Sequence, residues 1–412
     1  MANVSASTAT TRPATHGRLF LLVTLTLGHI VMHWFQQSFL ILLPEIKTAY
    51  SLSSVQAGSL QSVRSIFGGL VNFPAGFITD MFRTRWAIIL AVSMAWIGLA
   101  YLLVGLAPSF ALVLPAVALV GMGGAVWHPP ALSALSQRWA DRRGTAFSIH
   151  GVGGSTGDTL APVAVGALLL VFTWKQLTFF GVFPAIALAM LVWYTLRNIQ
   201  GQEGKSITLK DYFSGVAGLF RNKVLMLLVL SGGIRAMGQS ALLTFLPIYF
   251  REDLGFSTAR GGLYFSLVTV MGIVSQPALG YLGDRFGRKM VLVPGLVLLG
   301  LFNMALVIAG AGPGLVLTLL CISIFVYALG AVVLAAAMDL SGKAVGATTV
   351  GLLFGGNFVF SFISPLIAGQ LRDSFGTNAV FLYAGSAVIA SAFIILVLPL
   401  RRGDGRSASV AH

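Results

Sequence analysis

The chain has 412 residues, of which 57% are hydrophobic and only 9% are charged, and its mean hydropathy is +0.89. A soluble domain carries about 25% charged residues because its surface faces water. The composition therefore excludes an ordinary soluble protein and predicts that a lipid bilayer surrounds most of the chain. The net charge is +14, which in a soluble protein would suggest a nucleic-acid partner. In a membrane protein the positions of the charges matter more than their sum, so no nucleic-acid partner is expected. The single cysteine, Cys321, excludes an intrachain disulfide.

Apolar runs long enough to cross about 30 Å of hydrocarbon recur along the whole sequence. The first run continues as a full span without a small-residue cleavage site, so it is predicted to be a membrane helix rather than a removed signal peptide. Twelve membrane helices are predicted, at 18–43, 54–79, 86–106, 110–135, 144–171, 174–197, 223–249, 258–282, 289–311, 313–338, 344–371 and 377–399.

The sequence also contains an internal repeat on either side of its longest polar stretch. Gly76 and Asp80 recur as Gly280 and Asp284, and other glycines recur at nearly the same offset. Two similar six-helix halves are the transporter pattern in which substrate binds between them near the bilayer midplane. The fold class predicted is therefore an all-α polytopic membrane protein with two pseudo-symmetric bundles around a central cavity. The predicted boundaries are a tail at 1–17, bundles at 18–197 and 223–399, a linker at 198–222 and a tail at 400–412.

Positive charge sets the predicted orientation. With the N-terminus in the cytoplasm, most of the 26 Lys and Arg lie on the cytoplasmic side, as the positive-inside rule requires. Both termini and the linker are therefore expected in the cytoplasm of a cell with a bacterial-type inner membrane, and the chain is expected to be monomeric. The basic residues predicted on the outer side are Lys47, Lys175, Arg251, Arg260 and Arg372.

The loop after predicted helix eight reads GYLGDRFGRK, from Gly280 to Lys289. It closely resembles the G-x-x-x-D-R-x-G-R-K loop of the major facilitator superfamily, and a reduced form follows helix two. An aspartate at such a boundary can accept hydrogen bonds from a helix N-terminus, which is partly positive; the alternative is an ordinary solvated turn. The resemblance implies a role in gating the cytoplasmic side for Asp80, Arg83, Arg85, Gly280, Asp284, Arg285 and Arg288.

A second resemblance is narrower. Helix one carries His29 and His33, helix four ends in a glycine-rich segment before His128, and helix five carries an S-I-x-x-V-G-G stretch. Together these look like the fosmidomycin-resistance type of major facilitator efflux protein, which implies proton-coupled export. The chain departs from that pattern, because Pro130 and Asp158 stand where an acidic and a neutral residue are expected. Substrate identity and coupling residues therefore do not transfer directly.

Three charged residues are predicted near the middle of membrane spans: Arg64, Asp158 and Arg235. In the major facilitator fold their helices line the central cavity. A charge in the bilayer interior costs several kcal/mol unless it is paired or hydrated, so each is a candidate functional residue. The two arginines come from opposite halves and could hold one anion between planar guanidinium groups. Asp158 is the candidate proton carrier; the alternative is a permanent structural pair between Asp158 and an arginine.

Uncharged polar residues complete the predicted site. His29 and His33 share one helix face and are candidates for substrate contact or proton relay. No third ligand is evident beside them, so neither a metal site nor a cofactor is expected. His128 is interpreted as a structural residue at a proline kink. The remaining substrate-binding candidates, for which interhelical hydrogen bonding is the alternative, are Gln36, Gln239 and Asn357.

The predicted function is secondary active transport, in particular antiport of protons against a small organic anion or drug, as in drug resistance by efflux. One alternative is proton-symport uptake of an organic anion, and another is a membrane sensor or assembly factor that has lost transport. The sequence shows neither a nucleotide-binding loop nor a nucleophile paired with a base. These observations argue against an ATP-driven pump and against an enzyme.

Overall fold

The computed structural model describes residues 15–139, 141–197, 220–341 and 346–400. Regular structure in these ranges is helical. Nearly all of the predicted linker at 198–222 and of the tails at 1–17 and 400–412 lies outside the described residues. The domain boundaries predicted there stay predictions.

Twelve helical segments follow one another through the described parts of the chain, as the sequence predicts. The first six are α1 Thr15–Ala49, α2 Ser54–Met81, α3 Trp86–Leu106, α4 Phe110–Arg138, α5 Arg143–Leu168 and α6, which combines Trp174–Phe180 and Val182–Leu196. The second six are α7 Lys223–Ile248, with a π-helical turn at Tyr249–Asp253, α8 (Thr258–Val270 and Gly272–Phe286), α9 Arg288–Ala305, α10 (Pro313–Phe325 and Ala328–Ser341), α11 Gly346–Phe375 and α12 Thr377–Val397.

Ten of these twelve segments are long and apolar enough to cross a membrane by length and composition. The other two, α2 and α5, have 28 and 26 residues, so at 1.5 Å per residue they are also long enough to span the hydrocarbon. Their lower apolar content has a physical reason: α2 packs against both α4 and α11, and α5 against both α1 and α8. Helices enclosed by other helices expose less surface to lipid and can carry polar side chains.

The two sets of six helices pack in equivalent ways. In the first set α1 packs on α5, α2 on α4 and α3 on α6, and the second set repeats this as α7 on α11, α8 on α10 and α9 on α12. Between the sets, α2 packs on α11 and α5 packs on α8. These two contacts are also equivalent, because α2 corresponds to α8 and α5 corresponds to α11. The fold therefore consists of two pseudo-symmetric six-helix bundles, the N-terminal bundle (α1–α6) and the C-terminal bundle (α7–α12).

Two glycines allow the bundles to approach each other closely. A Cβ atom at Gly58 in α2 would lie 2.2 Å from the carbonyl oxygen of Pro365 in α11. A Cβ atom at Gly262 in α8 would lie 2.1 Å from the carbonyl oxygen of Pro162 in α5. These distances leave no room for a methyl group, so the helices touch through their backbones.

At the end of the molecule opposite the N-terminus of α1, charged groups tie the bundles together. Lys47 Nζ lies 2.8 Å from Glu252 Oε1. Asp373, at the end of α11, accepts hydrogen bonds from the backbone N–H groups of Ser54 and Val55, each at 3.0 Å. A carboxylate of one bundle therefore caps the N-terminus of α2 in the other, where the helix dipole favours negative charge. We call this set of contacts the interbundle latch.

At the opposite end, the ion pairs that the structure describes join residues of the same bundle. Arg18 pairs with Asp141, and its hydrogen bond holds the pKa of that carboxyl below its usual range. Arg288 lies 2.5 Å from Asp284 and 3.1 Å from Asp339. The latch thus has no counterpart among the ion pairs described at this end.

The predicted gating residues lie at this second end. Arg285 donates to the hydroxyl group of Tyr281 at 3.3 Å, and the Arg85 guanidinium lies 5.9 Å from the ring of Phe82. A Cβ atom at Gly280 would meet nothing within 4 Å. The side chains of Asp80 and Arg83 lie outside the described residues. The gating role of these residues remains a prediction.

Replacing Gly262 or Gly58 by alanine should destabilise the protein, because a methyl group would force the backbones of two helices apart. Overpacking of this kind costs about 1–3 kcal/mol. We expect a lower apparent midpoint of thermal unfolding in detergent for both variants. Gly312→Ala is the control, since a Cβ atom there meets nothing within 4 Å. Equal midpoints for Gly262→Ala and Gly312→Ala would contradict the close contact.

The Asp373→Ala substitution removes the carboxylate of the interbundle latch. The two bundles should then separate more often at the latch end. Loss of a helix cap costs about 0.5–2 kcal/mol, which corresponds to an increase of about 2- to 30-fold in the open population. The measurement is the labelling rate of Ala57→Cys, a buried position in α2, by a membrane-impermeant thiol reagent in a Cys321→Ser background. The control is Arg260→Gln, because Arg260 contacts Phe256 and Ala311 of its own bundle. The same labelling rate in both variants would exclude a role for the Asp373 cap.

Candidate functional site

Histidines from α1, α4 and α5 meet inside the N-terminal bundle. The rings of His29 and His33 are 4.5 Å apart between centroids, His150 stacks on His29 at 4.0 Å, and His128 lies 5.3 Å from His29. The glycine-rich stretch of α5 makes this possible, because a Cβ atom at Gly154 would lie only 2.7 Å from His29 Cε1. We call these four residues the imidazole cluster.

The sequence showed no third candidate ligand beside His29 and His33, whereas the structure places His128 next to them. Ligand nitrogen atoms of His29, His33 and His128 all lie within 4.8 Å of one another. The interpretation of His128 as a structural residue missed this contact. Its position depends on how α4 packs against α1, which local spacing does not reveal.

Asp158 is buried next to this cluster, with 8% of its surface exposed. Its Oδ1 atom lies 2.9 Å from His33 Nδ1 and accepts a hydrogen bond of the same length from Gln37 Nε2. Gln37 Nε2 also lies 3.1 Å from the hydroxyl oxygen of Tyr327, which belongs to the C-terminal bundle. The hydrogen-bond network around the carboxylate therefore crosses from one bundle to the other. Its partners are a histidine and an amide rather than an arginine.

Arg64, on α2, has a half-buried side chain. Its Nη1 atom donates to Gln61 Oε1 at 3.2 Å, and its guanidinium lies 5.1 Å from the ring centroid of Phe39. The described contacts give Arg64 no direct ion pair with Asp158.

Arg235, on α7, is only 6% exposed. Its Nη1 atom donates to Gln239 Oε1 at 2.7 Å and to the backbone carbonyl of Val326 at 3.4 Å. Its Nε atom is buried and has no hydrogen-bond partner among the described residues. Among the described residues, Arg235 also forms no ion pair with an acidic side chain. A buried charge held only by neutral oxygens is incompletely stabilised, and an anion is the ligand that would complete it.

A break in α10 links these two regions. The helix is interrupted between Phe325 and Ala328. The two residues at the interruption, Val326 and Tyr327, both contact buried polar groups. The carbonyl of Val326 accepts from Arg235, and the hydroxyl of Tyr327 contacts Gln37. Binding sites of secondary transporters form at such discontinuous helices near the midplane.

The other predicted residues occupy separate positions. Gln36 faces α4, where its Nε2 lies 3.5 Å from the place a Cβ atom would take at Gly124. Asn357 faces α7, and its buried Oδ1 atom has no hydrogen-bond partner in the described part of the chain. The structure therefore brings His29, His33 and Asp158 together, whereas Arg64 contacts Gln61 and Phe39. Arg235 and Gln239 form a second polar group in the C-terminal bundle.

Sequence reasoning missed Gln37, Tyr327 and the ring of His150. Gln37 lies four residues after His33, so it shares the helix face of the two histidines and could have been found by spacing. Tyr327 carries no local signal, because its role follows from the break in α10 and from the approach of the two bundles.

Two pseudo-symmetric bundles with buried charged residues beside their contact define a membrane transporter rather than an enzyme. The chain belongs to the Major Facilitator Superfamily, whose sequence profile matches residues 25–278 and 228–411. This confirms the family, the fold class and the expectation of a non-enzymatic transporter that the sequence motifs gave.

Similar proteins agree with this assignment. The chain is 25% identical to the fosmidomycin resistance protein of Escherichia coli (strain K12) over 368 residues, covering 88% of each chain. It is 24% identical to the glycerol-3-phosphate transporter of Bacillus subtilis (strain 168), in a match covering 92% of each chain. A solved bacterial homologue of the human lysosomal transporter Spinster, in an inward-facing and unoccupied conformation, shares the fold with a TM-score of 0.74 at 16% identity, covering 94% of this chain and 96% of that one.

Proposed function

We propose that this chain is a secondary active transporter that exports a small organic anion in exchange for protons. The main observation in favour of an anionic substrate is the buried guanidinium of Arg235. Its described partners are an amide and a carbonyl oxygen. A permanent positive charge in that position stabilises an anion, and its orphan Nε–H can donate a further hydrogen bond.

Arg64 supplies the second half of the proposed anion site. It comes from the other bundle, and the hydrogen bond described for its side chain stays within α2. The N–H groups of its planar fork suit carboxylate or phosphate oxygens. An anion held by one arginine from each bundle would favour their approach, which is what alternating access requires of a substrate.

The relatives support this substrate class without naming the substrate. One similar protein is a glycerol-3-phosphate transporter, and glycerol-3-phosphate is a small organic anion. Another is a fosmidomycin resistance protein, which supports export. Exchange of the anion for protons is our proposal for the driving force.

Asp158 is the proposed proton carrier. It is a buried carboxylate whose partners, His33 and Gln37, can serve both its charged and its protonated form. The contact from Gln37 to Tyr327 would communicate a change at Asp158 to the C-terminal bundle. The charge of Asp158 acts on an anion at Arg64 through the same low-dielectric space, so a change in the protonation of Asp158 changes the affinity for the anion.

The orientation proposed is with both termini in the cytoplasm of the inner membrane. The distribution of Lys and Arg along the sequence supports it. In this orientation the interbundle latch lies on the outer side, and so do the interbundle ion pairs that the structure describes.

Arg64→Lys and Arg235→Lys should each reduce anion transport although the charge is retained, because lysine lacks the planar fork. Loss of one hydrogen bond to a charged group costs about 1.5–3 kcal/mol, so we expect a decrease of about 10- to 150-fold in transport efficiency. The measurement is counterflow in proteoliposomes with a panel of phosphonates and carboxylates. Lys175→Arg, outside the site, is the control. Wild-type rates in both arginine variants would exclude the anion site.

Asp158→Asn should abolish transport driven by a pH gradient and preserve substrate exchange at equal pH, because exchange needs no net proton movement. Both activities are measured in the same proteoliposomes, with the gradient imposed in either direction to separate export from uptake. Loss of both activities would assign Asp158 a structural role. Retention of gradient-driven transport would place the coupling at another group.

A further inference from the structure

The imidazole cluster has the composition of a metal site. Ligand nitrogens of His29, His33 and His128 lie within 4.8 Å of one another and come from α1 and α4. We propose that these three residues bind a divalent transition-metal cation of the Zn²⁺, Co²⁺ or Ni²⁺ type. This site goes beyond anion transport and is argued independently of it.

The hydrogen bonding of His29 fixes the tautomer that metal binding requires. Its Nδ1 atom lies 2.6 Å from the backbone carbonyl oxygen of His150. A carbonyl oxygen only accepts, so Nδ1 carries the proton and the neutral ring has its lone pair on Nε2. That Nε2 atom is buried and has no hydrogen-bond partner among the described residues. An imidazole lone pair is thus held in place with no described group to receive it.

His33 is oriented in the same manner by a carboxylate. Its Nδ1 atom lies 2.9 Å from Asp158 Oδ1, and an ionised carboxylate makes Nδ1 the donor. In the neutral ring, the lone pair of His33 is then also on Nε2. Metal-binding histidines almost always donate their second ring N–H to a carboxylate or a backbone carbonyl, and here one ring of each kind is present.

The spacing and the surroundings fit a small borderline-soft cation. Zn²⁺ binds histidine nitrogen at about 2.0–2.1 Å, which places tetrahedral ligand atoms about 3.3 Å apart. Ligand nitrogens that lie within 4.8 Å of one another would therefore have to approach by about 1.5 Å at most. His33 and His128 are partly exposed, so an ion can reach the ligands. Three neutral imidazoles leave the fourth position for water or an anionic ligand.

Binding of Co²⁺ to the purified, tag-free chain tests the proposal without any transport assay. The variant used for this experiment has the substitutions His16→Ala, His412→Ala and Cys321→Ser. They remove the two histidines outside the imidazole cluster and the only thiol. We expect one Co²⁺ per chain, the intense visible absorption of a low-coordinate nitrogen site, and displacement by Zn²⁺. Wild type, tested in parallel, is the matched control and should bind with the same stoichiometry. A spectrum of hydrated Co²⁺ only would overturn the proposal.

Variants then identify the ligands. His29→Gln, His33→Gln and His128→Gln should each lower Co²⁺ affinity by at least about 10-fold. Asp158→Asn keeps the three ligands but weakens the orientation of His33, and loss of such a partner costs about 10- to 100-fold in affinity. Asp158→Asn is a conservative replacement, so it reports on the site even where a histidine variant folds poorly. Full Co²⁺ affinity in both His128→Gln and Asp158→Asn would exclude this ligand set.

Discussion

The constraint on which this structure depends is the free energy of placing charge inside a bilayer. Arg235 and Asp158 are both more than nine-tenths buried, and Arg64 is half-buried. The described partners of the two arginines are amide, carbonyl and ring groups, and those of Asp158 are an imidazole and an amide, so no arginine–carboxylate pair joins them. Such an arrangement stabilises a charge without neutralising it. The buried groups therefore keep their capacity to bind an ion or a proton, which a permanent salt bridge would remove.

Close contacts between helices help to stabilise these buried polar groups. Gly154 admits the rings of the imidazole cluster, and Gly58 and Gly262 allow the bundles to touch through their backbones. The break in α10 then frees one carbonyl for Arg235 and directs Tyr327 towards Gln37. Small residues and one interrupted helix thus bring polar groups together at a depth where water does not supply hydrogen bonds.

The parts of this structure that sequence could predict are those with a local or periodic signal. Long apolar runs gave the twelve helices, and the offset between Gly76 and Gly280 indicated two similar halves. The charges at Arg64, Asp158 and Arg235 were recognisable because each interrupts an apolar run. Their partners were not, because the contact between Asp158 and His33 depends on how α5 packs against α1. The same limit applies to His128 and Tyr327, whose neighbours lie on other helices.

The interbundle latch has a consequence for how the protein responds to its medium. Its ionic groups, such as Lys47, Glu252 and Asp373, lie at a helix end where water and salt reach them, whereas the buried polar network is shielded. Electrostatic attraction between exposed charges decays over about 8 Å at physiological ionic strength, and over shorter distances as salt rises. Ionic strength on the latch side should therefore govern how often the bundles separate, while the preference for one solute over another stays constant. The salinity of the solution on that side would then act on the speed of the conformational change, at a place separate from the buried polar groups.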